Sequence, residues 1–341
     1  MSTKPNLIVP VFIPHHGCPH RCVFCNQSGI TGQQSAPTPD EVREYLSRHL
    51  SKNTPHAVVA FYGGSFTGLP LSEQEGYLSA AREFIRKGHA NGIRLSTRPD
   101  YIHDDTPGFL KSYGVEVVEL GVQSMDDRVL AKSARGHAAA DTVRASGLIK
   151  DAGLELGIQV MPGMPGDTPE GFIETVRRVI DIKPHIARIY PVLVIAGSPL
   201  ELVWRRGEYV PLGIDDAVEL SAKAVTMFRE AGIKVVRVGL QPGRELEDSL
   251  LAGPYHPAFG HMVESAIALS RMQDALLGYT GMHDNEAVEF LVNPAELSVY
   301  KGIRRANEAA LARARGGLGV RVKADAGVAK GEFRLVASRG C

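Results

Sequence analysis

Three of the four cysteines in this 341-residue chain lie within eight residues, and this cluster strongly constrains what the chain can form. Cys18, Cys22 and Cys25 follow the pattern Cys-x3-Cys-x2-Cys, and Phe24 stands directly before the last cysteine. Thiolates bind soft metals, namely zinc, copper(I) or the irons of an iron–sulfur cluster. The spacing therefore predicts a metal centre, placed directly after the first predicted strand.

Two kinds of metal centre are compatible with three thiolates. A structural zinc normally takes four protein ligands, and a nearby histidine could supply the fourth: His15, His16 or His20. A cubane [4Fe–4S] cluster held by three thiolates leaves one iron open, and an open iron can bind a substrate or cofactor. The spacing and the position after a strand favour the cluster over zinc.

The rest of the chain alternates between short apolar runs and helical patterns. The runs are almost continuously apolar, as expected for strands buried on both faces of a parallel sheet. Repeated strand-then-helix units indicate an α/β fold, either a barrel or a doubly wound sheet. Strands are predicted at residues 7–13, 57–63, 93–97, 115–123, 156–161, 187–194 and 234–239, and helices at 38–50, 72–88, 138–153, 168–181 and 215–232.

The pattern changes near residue 250, which predicts a barrel domain at 1–250 and a small α+β extension at 251–341. Within the extension, helices are predicted at 256–278 and 301–315, and strands at 286–292, 318–324 and 332–338. From residue 301 onward, ten lysines and arginines are opposed by only three acids. Such a basic block either contacts a polyanion or forms a solvated protein face.

Composition narrows the expected compartment. The formal net charge is zero, and no apolar run approaches the roughly 20 residues that cross a membrane. The first residues lack the pattern of a signal peptide. Four cysteines, one of them the terminal Cys341, are too few and too unevenly spread for a disulfide framework. We therefore expect a cytoplasmic protein with no membrane partner.

The cysteine stretch resembles the radical S-adenosylmethionine (SAM) enzymes, whose signature is Cys-x3-Cys-x-aromatic-Cys. Cys18, Cys22, Phe24 and Cys25 match it. The resemblance implies a partial (β/α)6 TIM-like barrel, with a [4Fe–4S] cluster on the three cysteines and SAM on the open iron. It further implies reductive cleavage of SAM to a 5′-deoxyadenosyl radical, which abstracts hydrogen from an unidentified substrate. The implied electron donor is an external protein of flavodoxin or ferredoxin type.

The same resemblance assigns SAM-binding roles to residues at predicted strand ends. The aromatic Phe24 would help to hold adenine. Family members bind the SAM ammonium through backbone carbonyls of a glycine turn, they contact the ribose from the third and fourth strands, and they bind the carboxylate through an arginine. The matching positions are Gly63, Gly64 and Ser65 for the turn, Ser96, Arg98 and Gln123 for the strand ends, Arg135 for the carboxylate, and Gln159 and Met161 along the adenine. Ser96 stands where the family has Glu. Tyr190, near the end of the sixth predicted strand, is expected to be buried in the core.

Several longer phrases resemble the radical SAM core of the Elongator catalytic subunit: STRPDYI, VELGVQSMDDRVL, RGH, MPGMPGDT and RIYPVLVIAGSPL. That family modifies the wobble uridine of tRNAs and uses acetyl-CoA as the source of the added carbons. Here the first two cysteines are closer together, and no basic N-terminal region or acetyltransferase domain is recognised. The expectation is a bacterial Elongator-like enzyme without acetyl-CoA chemistry, with tRNA or another RNA as a candidate partner. The alternatives are an anaerobic coproporphyrinogen dehydrogenase-like oxidoreductase and, from another class, a zinc-containing nucleic-acid-binding protein.

Overall fold

The structure is a computed structural model that describes residues 7–13, 17–18, 22–26, 35–51, 57–278, 287–315 and 319–338. The chain divides into two compact units, one of residues 1–217 with 227–255 and one of residues 218–226 with 256–341. No helix in the described ranges is long and apolar enough to cross a membrane. The domain boundary expected near residue 250 stays a prediction.

The first unit is built around one parallel sheet of seven strands. Its strand order is β1-β2-β3-β4-β5-β6-β8, and β1 and β8 lie at the two ends of that order. The predicted α/β partial barrel is confirmed as a curled, open half-barrel, with β8 added beyond the six strands of the expected barrel. The strands of this unit are β1 (Leu7–Ile13), β2 (Ala57–Gly63), β3 (Gly92–Thr97), β4 (Val115–Gln123), β5 (Glu155–Val160), β6 (Ile186–Ile189), β7 (Val194–Ile195), β8 (Lys234–Val238) and β9 (Leu250–Ala252).

Helices connect the strands, and local capping sets where several of them begin. Thr38 caps the first helix in a capping box with Glu41, and the Thr168 hydroxyl accepts the Gly171 N–H at the start of another. Pro39 and Pro169 follow these caps at positions where a missing N–H costs nothing. The helices up to residue 249 are α1 (Pro39–His49), α2 (Leu71–Arg86), α3 (Thr106–Ser112), α4 (Asp127–Lys132), α5 (Ala139–Asp151), α6 (Pro169–Ile182), α7 (Pro199–Arg205), α8 (Ile214–Glu230) and α9 (Arg244–Ser249).

The two faces of the seven-stranded sheet differ in burial. Side chains on the outer face, such as Phe61 and Leu120, are almost completely buried. Phe61 packs on Tyr77 of α2, with ring centroids 6.0 Å apart, so helices cover this face. Alternate residues on the inner face, which lines the lumen of the half-barrel, are only partly buried in several strands. The core therefore lies between the sheet and its helices, and the lumen is the more open side.

The sixth predicted strand is wrong in its extent. A single strand was expected over 187–194, but β6 ends at Ile189, and β7 pairs antiparallel with β9 outside the main sheet. The physical reason is Pro191, which has no N–H to continue a ladder. The break lets the chain leave the half-barrel after its sixth strand.

The second unit contains a three-stranded sheet of order β11-β10-β12. Its strands are β10 (Ala287–Val292), β11 (Val320–Ala324) and β12 (Phe333–Ser338), with β11 parallel and β12 antiparallel to β10. Its helices include α10 (Phe259–Leu277), α11 (Leu297–Lys301) and α12 (Ala306–Ala314). The single helix expected at 301–315 is wrong, because Gly302, Arg304 and Arg305 have positive φ and end the helical path before α12.

Candidate active site at the carboxyl edge of the sheet

Arg135 links the cysteine loop to the end of β4. Its Nη1 donates a hydrogen bond to Sγ of Cys22 at 3.2 Å, and its Nη2 donates to the carbonyl of Gly121. Cys22 is 5% exposed, and its carbonyl accepts the N–H of Cys25 at 3.0 Å in a tight turn. One buried guanidinium therefore contacts both a predicted cluster ligand and the carboxyl edge of the sheet.

Backbone hydrogen bonds fix the remainder of the described cysteine loop. The N–H of Val23 donates to the carbonyl of Ser133 at 3.1 Å, and the carbonyl of Val23 accepts the N–H of Leu200 at 2.7 Å. Asn26 Nδ2 donates to the carbonyl of Ala196 at 2.6 Å. The loop is thus held by the segments that follow α4 and β7.

Gly17, before the first cysteine, has to be a glycine in this structure. Its φ is +72°, and a Cβ placed there would lie 2.2 Å from the carbonyl oxygen of Ser65. A backbone hydrogen bond with Ser65 also lowers the pKa of Cys18. The cysteine loop and the turn after β2 are therefore in direct contact.

The Cys18 thiol responds to opposing influences. Burial raises its pKa most, and a neighbouring Cys22 thiolate would raise it further. The guanidinium groups of Arg135 and Arg98 act in the opposite direction and favour the thiolate. The net result is a raised pKa, and metals bind the thiolate form, so metal binding at Cys18 would displace a proton.

The turn after β2 places its polar side chain away from the lumen. Gly63 has φ +104°, and the N–H of Gly64 donates to the carbonyl of Ile13 at 2.7 Å. The Ser65 hydroxyl is hydrogen-bonded to Thr97 Oγ1 at 3.0 Å and accepts the N–H of Arg98 at 3.2 Å. The Ser65 hydroxyl is therefore already engaged by residues at the end of β3.

Arg98 is 2% exposed and paired with an acid. Its Nε and Nη2 donate to the two carboxylate oxygens of Asp100 at 3.0 and 2.8 Å. Its Nη1 has no hydrogen-bond partner among the described residues. Ser96, two residues earlier, lies in register with Glu119 on the inner face of the sheet.

Gln123 ends β4 in an unusual conformation. Its φ is +70°, which is rare for a residue other than glycine, and the β4–β5 register shifts between Gly121 and Gln123. Its side-chain oxygen accepts Gln159 Nε2 at 3.1 Å, and its carbonyl accepts the N–H of Met161 at 2.9 Å. Met161 belongs to an apolar cluster against which Phe24 and Tyr190 pack. Gln123, Gln159 and the apolar cluster thus adjoin one another at this edge.

His137 is a buried site neighbour to which the sequence assigned no role, although it lies in the noted RGH phrase. It is 7% exposed, and neither ring nitrogen has a hydrogen-bond partner within the described ranges. Burial, together with the charge of Arg135, lowers the pKa of His137 to about 3, while Asp100 acts in the opposite direction. The imidazole is therefore neutral at physiological pH, which limits the positive charge around the cysteines.

A charged cluster on the inner face was also missed. Glu119 on β4 forms ion pairs with Arg94 on β3, at 2.7 Å, and with Arg188 on β6, at 2.5 Å. Arg188 also donates to the phenol oxygens of Tyr62, at 2.8 Å, and Tyr190, at 3.0 Å. Tyr190, expected in the core, is instead half-buried and belongs to this network. Its strand residues stand two positions before Gly64, Ser96, Gly121 and Tyr190, so alternation along each strand places them on the same face as those residues. Alternation does not say which of them meet across strands.

Comparison with known proteins identifies the family. The model of the radical SAM superfamily matches residues 12–179, and that of the radical SAM C-terminal domain matches residues 184–268. The chain belongs to the radical SAM superfamily. Enzymes of this superfamily bind a [4Fe–4S] cluster and SAM and require an electron donor, so this chain is an enzyme with that cofactor class.

Individual relatives of this radical SAM enzyme include tRNA-modifying proteins. It is 38% identical over 263 residues to the tRNA uridine(34) acetyltransferase of Methanocaldococcus jannaschii, covering 65% of this chain and 49% of that protein. It is 26% identical to the human Elongator complex protein 3, covering 64% of this chain and 49% of that one. The chain therefore spans about half the length of these curated relatives.

A solved structure shares the fold of this radical SAM enzyme. The archaeal Methanocaldococcus infernus Elp3 with an N-terminal deletion superposes with a TM-score of 0.64 and 22% identity. The match covers 81% of this chain and 64% of that one. It supports the half-barrel architecture.

The residues present fit a cluster bound by thiolates. Cys18, Cys22 and Cys25 form no disulfide. In a cubane held by three cysteines, each thiolate binds a different iron and the fourth iron stays open. The three histidines considered for zinc lie outside the described residues.

Proposed function

We propose that this chain holds a [4Fe–4S] cluster on Cys18, Cys22 and Cys25 and uses it to cleave SAM reductively. When bound, the cluster would supply the electron that splits SAM into methionine and a 5′-deoxyadenosyl radical, which abstracts hydrogen from the substrate. The observation that carries the proposal is Arg135, which contacts Cys22 and the Gly121 carbonyl together. This contact joins the predicted cluster ligands to the sheet edge where the predicted SAM residues lie.

Arg135 is the proposed partner of the SAM carboxylate. It is 6% exposed, and no ion pair with a carboxylate is found for it among the described residues. A guanidinium matches a carboxylate in geometry, and the pair would be strengthened by the low exposure of the site. Arg98 differs, because Asp100 already occupies most of its donors. We assign Arg98 to positioning the turn beside the cysteines.

The remaining predicted SAM residues divide by position. The backbone of Gly63, Gly64 and Ser65 is proposed to bind the SAM ammonium, since the Ser65 hydroxyl is already engaged. Gln123 and Ser96 would contact the ribose from β4 and β3. The adenine is assigned to the surroundings of Gln159, Met161 and Phe24, which the β5 edge and the apolar cluster bring together.

A tRNA is the proposed substrate class. The supporting observation is similarity to relatives named as tRNA uridine(34) acetyltransferases, together with the basic block after residue 301. Under this proposal residues 1–250 form the catalytic barrel, and residues 251–341 contribute to RNA binding. The enzyme would work in the cytoplasm with an electron donor of flavodoxin or ferredoxin type.

The test begins with anaerobic purification, iron and sulfide analysis, and detection of 5′-deoxyadenosine after addition of dithionite and SAM. We expect about four irons per chain, as a [4Fe–4S] cluster requires, and SAM cleavage. Replacement of Cys18, Cys22 or Cys25 by Ala should abolish both. Cys341→Ala is the matched control and should change neither. Unchanged 5′-deoxyadenosine production by a Cys22→Ala protein would contradict the proposal.

Arg135→Ala separates the SAM site from the cluster. Its iron content should match that of the parent, while its affinity for SAM falls at least tenfold. Arg128→Ala serves as a control, since this arginine side chain is 92% exposed and pairs with Asp126. Equal SAM affinity in the Arg135 variant and the parent would reject the carboxylate role.

The alternatives predict other results from the same preparation. Zinc at one equivalent, without SAM cleavage after attempted cluster reconstitution, would support the zinc-containing nucleic-acid-binding protein. SAM cleavage stimulated by coproporphyrinogen and not by tRNA would support the oxidoreductase alternative.

A further inference from the structure

The inner face of the half-barrel carries more positive than negative charge. Arg94, Arg188 and Arg237 lie on β3, β6 and β8, and Glu119 on β4 is the carboxylate paired with the first two. Arg188 and Arg237 are register partners in adjacent parallel strands, so their side chains leave the same face of the sheet. No other ion pair to these three arginines occurs among the described residues.

The arginines differ in how fully their donors are used. Arg188 is held by Glu119 and by the phenol oxygens of Tyr62 and Tyr190, and its guanidinium carbon lies 5.0 Å from the centre of the Tyr62 ring. Arg237 makes one hydrogen bond, from Nε to the carbonyl of Gly239 at 3.2 Å. Both terminal nitrogens of Arg237 are without a hydrogen-bond partner in the part of the chain that the structure describes. The two terminal nitrogens of Arg237 can therefore donate to a ligand, and they lie beside the Arg188 guanidinium, which its partners hold in place.

This arrangement adjoins the proposed SAM site. Arg188 is also the register partner of Gln159 on β5, and Gln159 in turn pairs with Gly121 on β4. Gly121 is the residue whose carbonyl accepts Arg135. One layer of register partners across β4, β5, β6 and β8 thus extends from Arg135, the proposed partner of the SAM carboxylate, to the terminal nitrogens of Arg237.

Partly buried guanidinium groups with too few carboxylates are costly, and an anion entering the lumen would relieve that cost. A planar guanidinium binds carboxylate and phosphate oxygens in the same bidentate manner. We propose that the lumen binds an anionic group of the substrate, a carboxylate or a phosphate, through Arg237 and Arg188. Arg94, Glu119 and Tyr62 act as positioning residues that orient Arg188. The word substrate here rests on the proposed function, but the anion site itself does not.

The test uses the chain of residues 1–341 without iron or SAM, so that it does not depend on radical chemistry. Inorganic phosphate and succinate are titrated at low ionic strength by ligand-observed NMR, with neutral succinamide as the control ligand. We expect one or both anions to bind and succinamide not to bind. A preference for succinate or for phosphate assigns the group as carboxylate or phosphate.

Variants locate the bound anion. Arg237→Gln should weaken binding at least tenfold, and it should fold normally because it loses one contact to a carbonyl. Arg188→Gln should have a similar effect, while Arg128→Gln on the surface should have none. Arg135→Gln tests whether the anion occupies the SAM-carboxylate position instead, and it should leave most of the affinity intact.

The inference is overturned if neither anion binds, if Arg237→Gln binds like the parent, or if Arg135→Gln alone abolishes binding. Anion binding through Arg237 in a protein that never cleaves SAM would retain this inference and reject the proposed function. If the protein cleaves SAM but Arg237→Gln does not change its anion binding, the proposed function is retained and this inference is rejected.

Discussion

The two faces of the seven-stranded sheet are made by alternate residues of the same strands, yet they have opposite chemistry. Phe61 and Leu120 on the outer face are 1% and 0% exposed and lie against other apolar groups. On the inner face, the side chains of Arg94 and Arg188 are 12% and 16% exposed and share one carboxylate. The outer face stabilises the fold through apolar burial, whereas the inner face keeps charge in a partly enclosed space.

This difference shows where stability and ligand binding reside. Burying an aromatic or aliphatic side chain contributes about 1.5–3 kcal/mol each, and the outer face does this strand after strand. The inner face instead holds guanidinium groups whose desolvation opposes folding unless they are paired. Under the anion-site proposal a ligand makes use of these groups, and the following variants measure the two faces separately.

The largest expected effect is on the outer face. Phe61→Ala should lower the free energy of unfolding by about 4 kcal/mol, because a fully buried ring is lost and a cavity remains. Phe12 is the matched control, since it lies on the neighbouring strand, on the inner face, and is half-buried. Phe12→Ala should cost less than half as much in urea denaturation. Equal losses for the two variants would show that the faces contribute equally to stability.

The next effect is on the inner face and comes from charge. Glu119→Gln should cost about 3 kcal/mol, because it leaves Arg94 and Arg188 without their carboxylate. Arg94→Met should cost less, since Glu119 keeps Arg188 as its partner. The comparison is made by urea denaturation at neutral pH. A Glu119→Gln protein as stable as the parent would mean that solvent, rather than Glu119, balances these arginines.

His137, a buried neighbour of the site at the carboxyl edge of the sheet, should make the stability of the protein depend on pH. Burial lowers its pKa to about 3, against about 6.5 in the unfolded chain. The unfolded chain therefore takes up a proton first as pH falls, and the stability that is present above pH 6.5 is lost towards pH 3. Between pH 7 and 5 the contribution is about 2 kcal/mol.

His137→Gln removes this titration. The difference in unfolding free energy between pH 7 and 5 should shrink by that amount relative to the parent. His103, an exposed histidine, supplies the control variant for the loss of an imidazole. An unchanged slope in His137→Gln would show that the imidazole is solvated in the folded protein.

The sequence located the carboxyl edge because its motifs coincide with strand ends. Cys22 and Gly64 follow predicted strands, Gln123 ends one, and Arg135 comes after it. Parallel strands bring such ends to one edge of the sheet. The structure adds what no motif states, such as the contact of Arg135 with Cys22. The break at Pro191 was available from the sequence, because proline cannot donate to a ladder.

The inner-face charges were not predicted, for a physical reason. The sequence of each strand has only one or two polar residues among apolar ones, so it predicts strands that are buried on both faces. Whether Arg94 and Arg188 meet Glu119 depends on register across four strands, and register is set by the assembled sheet. The break in the second unit was missed similarly, since Arg304 and Arg305 suit a helix by propensity but adopt positive φ.

The smallest expected effect compares two phenols on opposite faces of β2. Tyr62 on the inner face donates to Glu119 at 3.2 Å and accepts from Arg188, whereas Tyr77 of α2, beneath the outer face, donates to the carbonyl of Pro37 at 2.6 Å. Each Tyr→Phe change removes one hydroxyl and should cost about 1 kcal/mol in urea denaturation.

The two Tyr→Phe changes should differ in their effect on anion binding, because Tyr62 contacts Arg188 and Tyr77 does not. Tyr62→Phe should weaken succinate or phosphate binding about threefold, which corresponds to roughly 0.6 kcal/mol, while Tyr77→Phe leaves it unchanged. If both variants bind these anions like the parent, Glu119 and Tyr190 suffice to orient Arg188. The Tyr62 phenol would then contribute only to stability, as the Tyr77 phenol does.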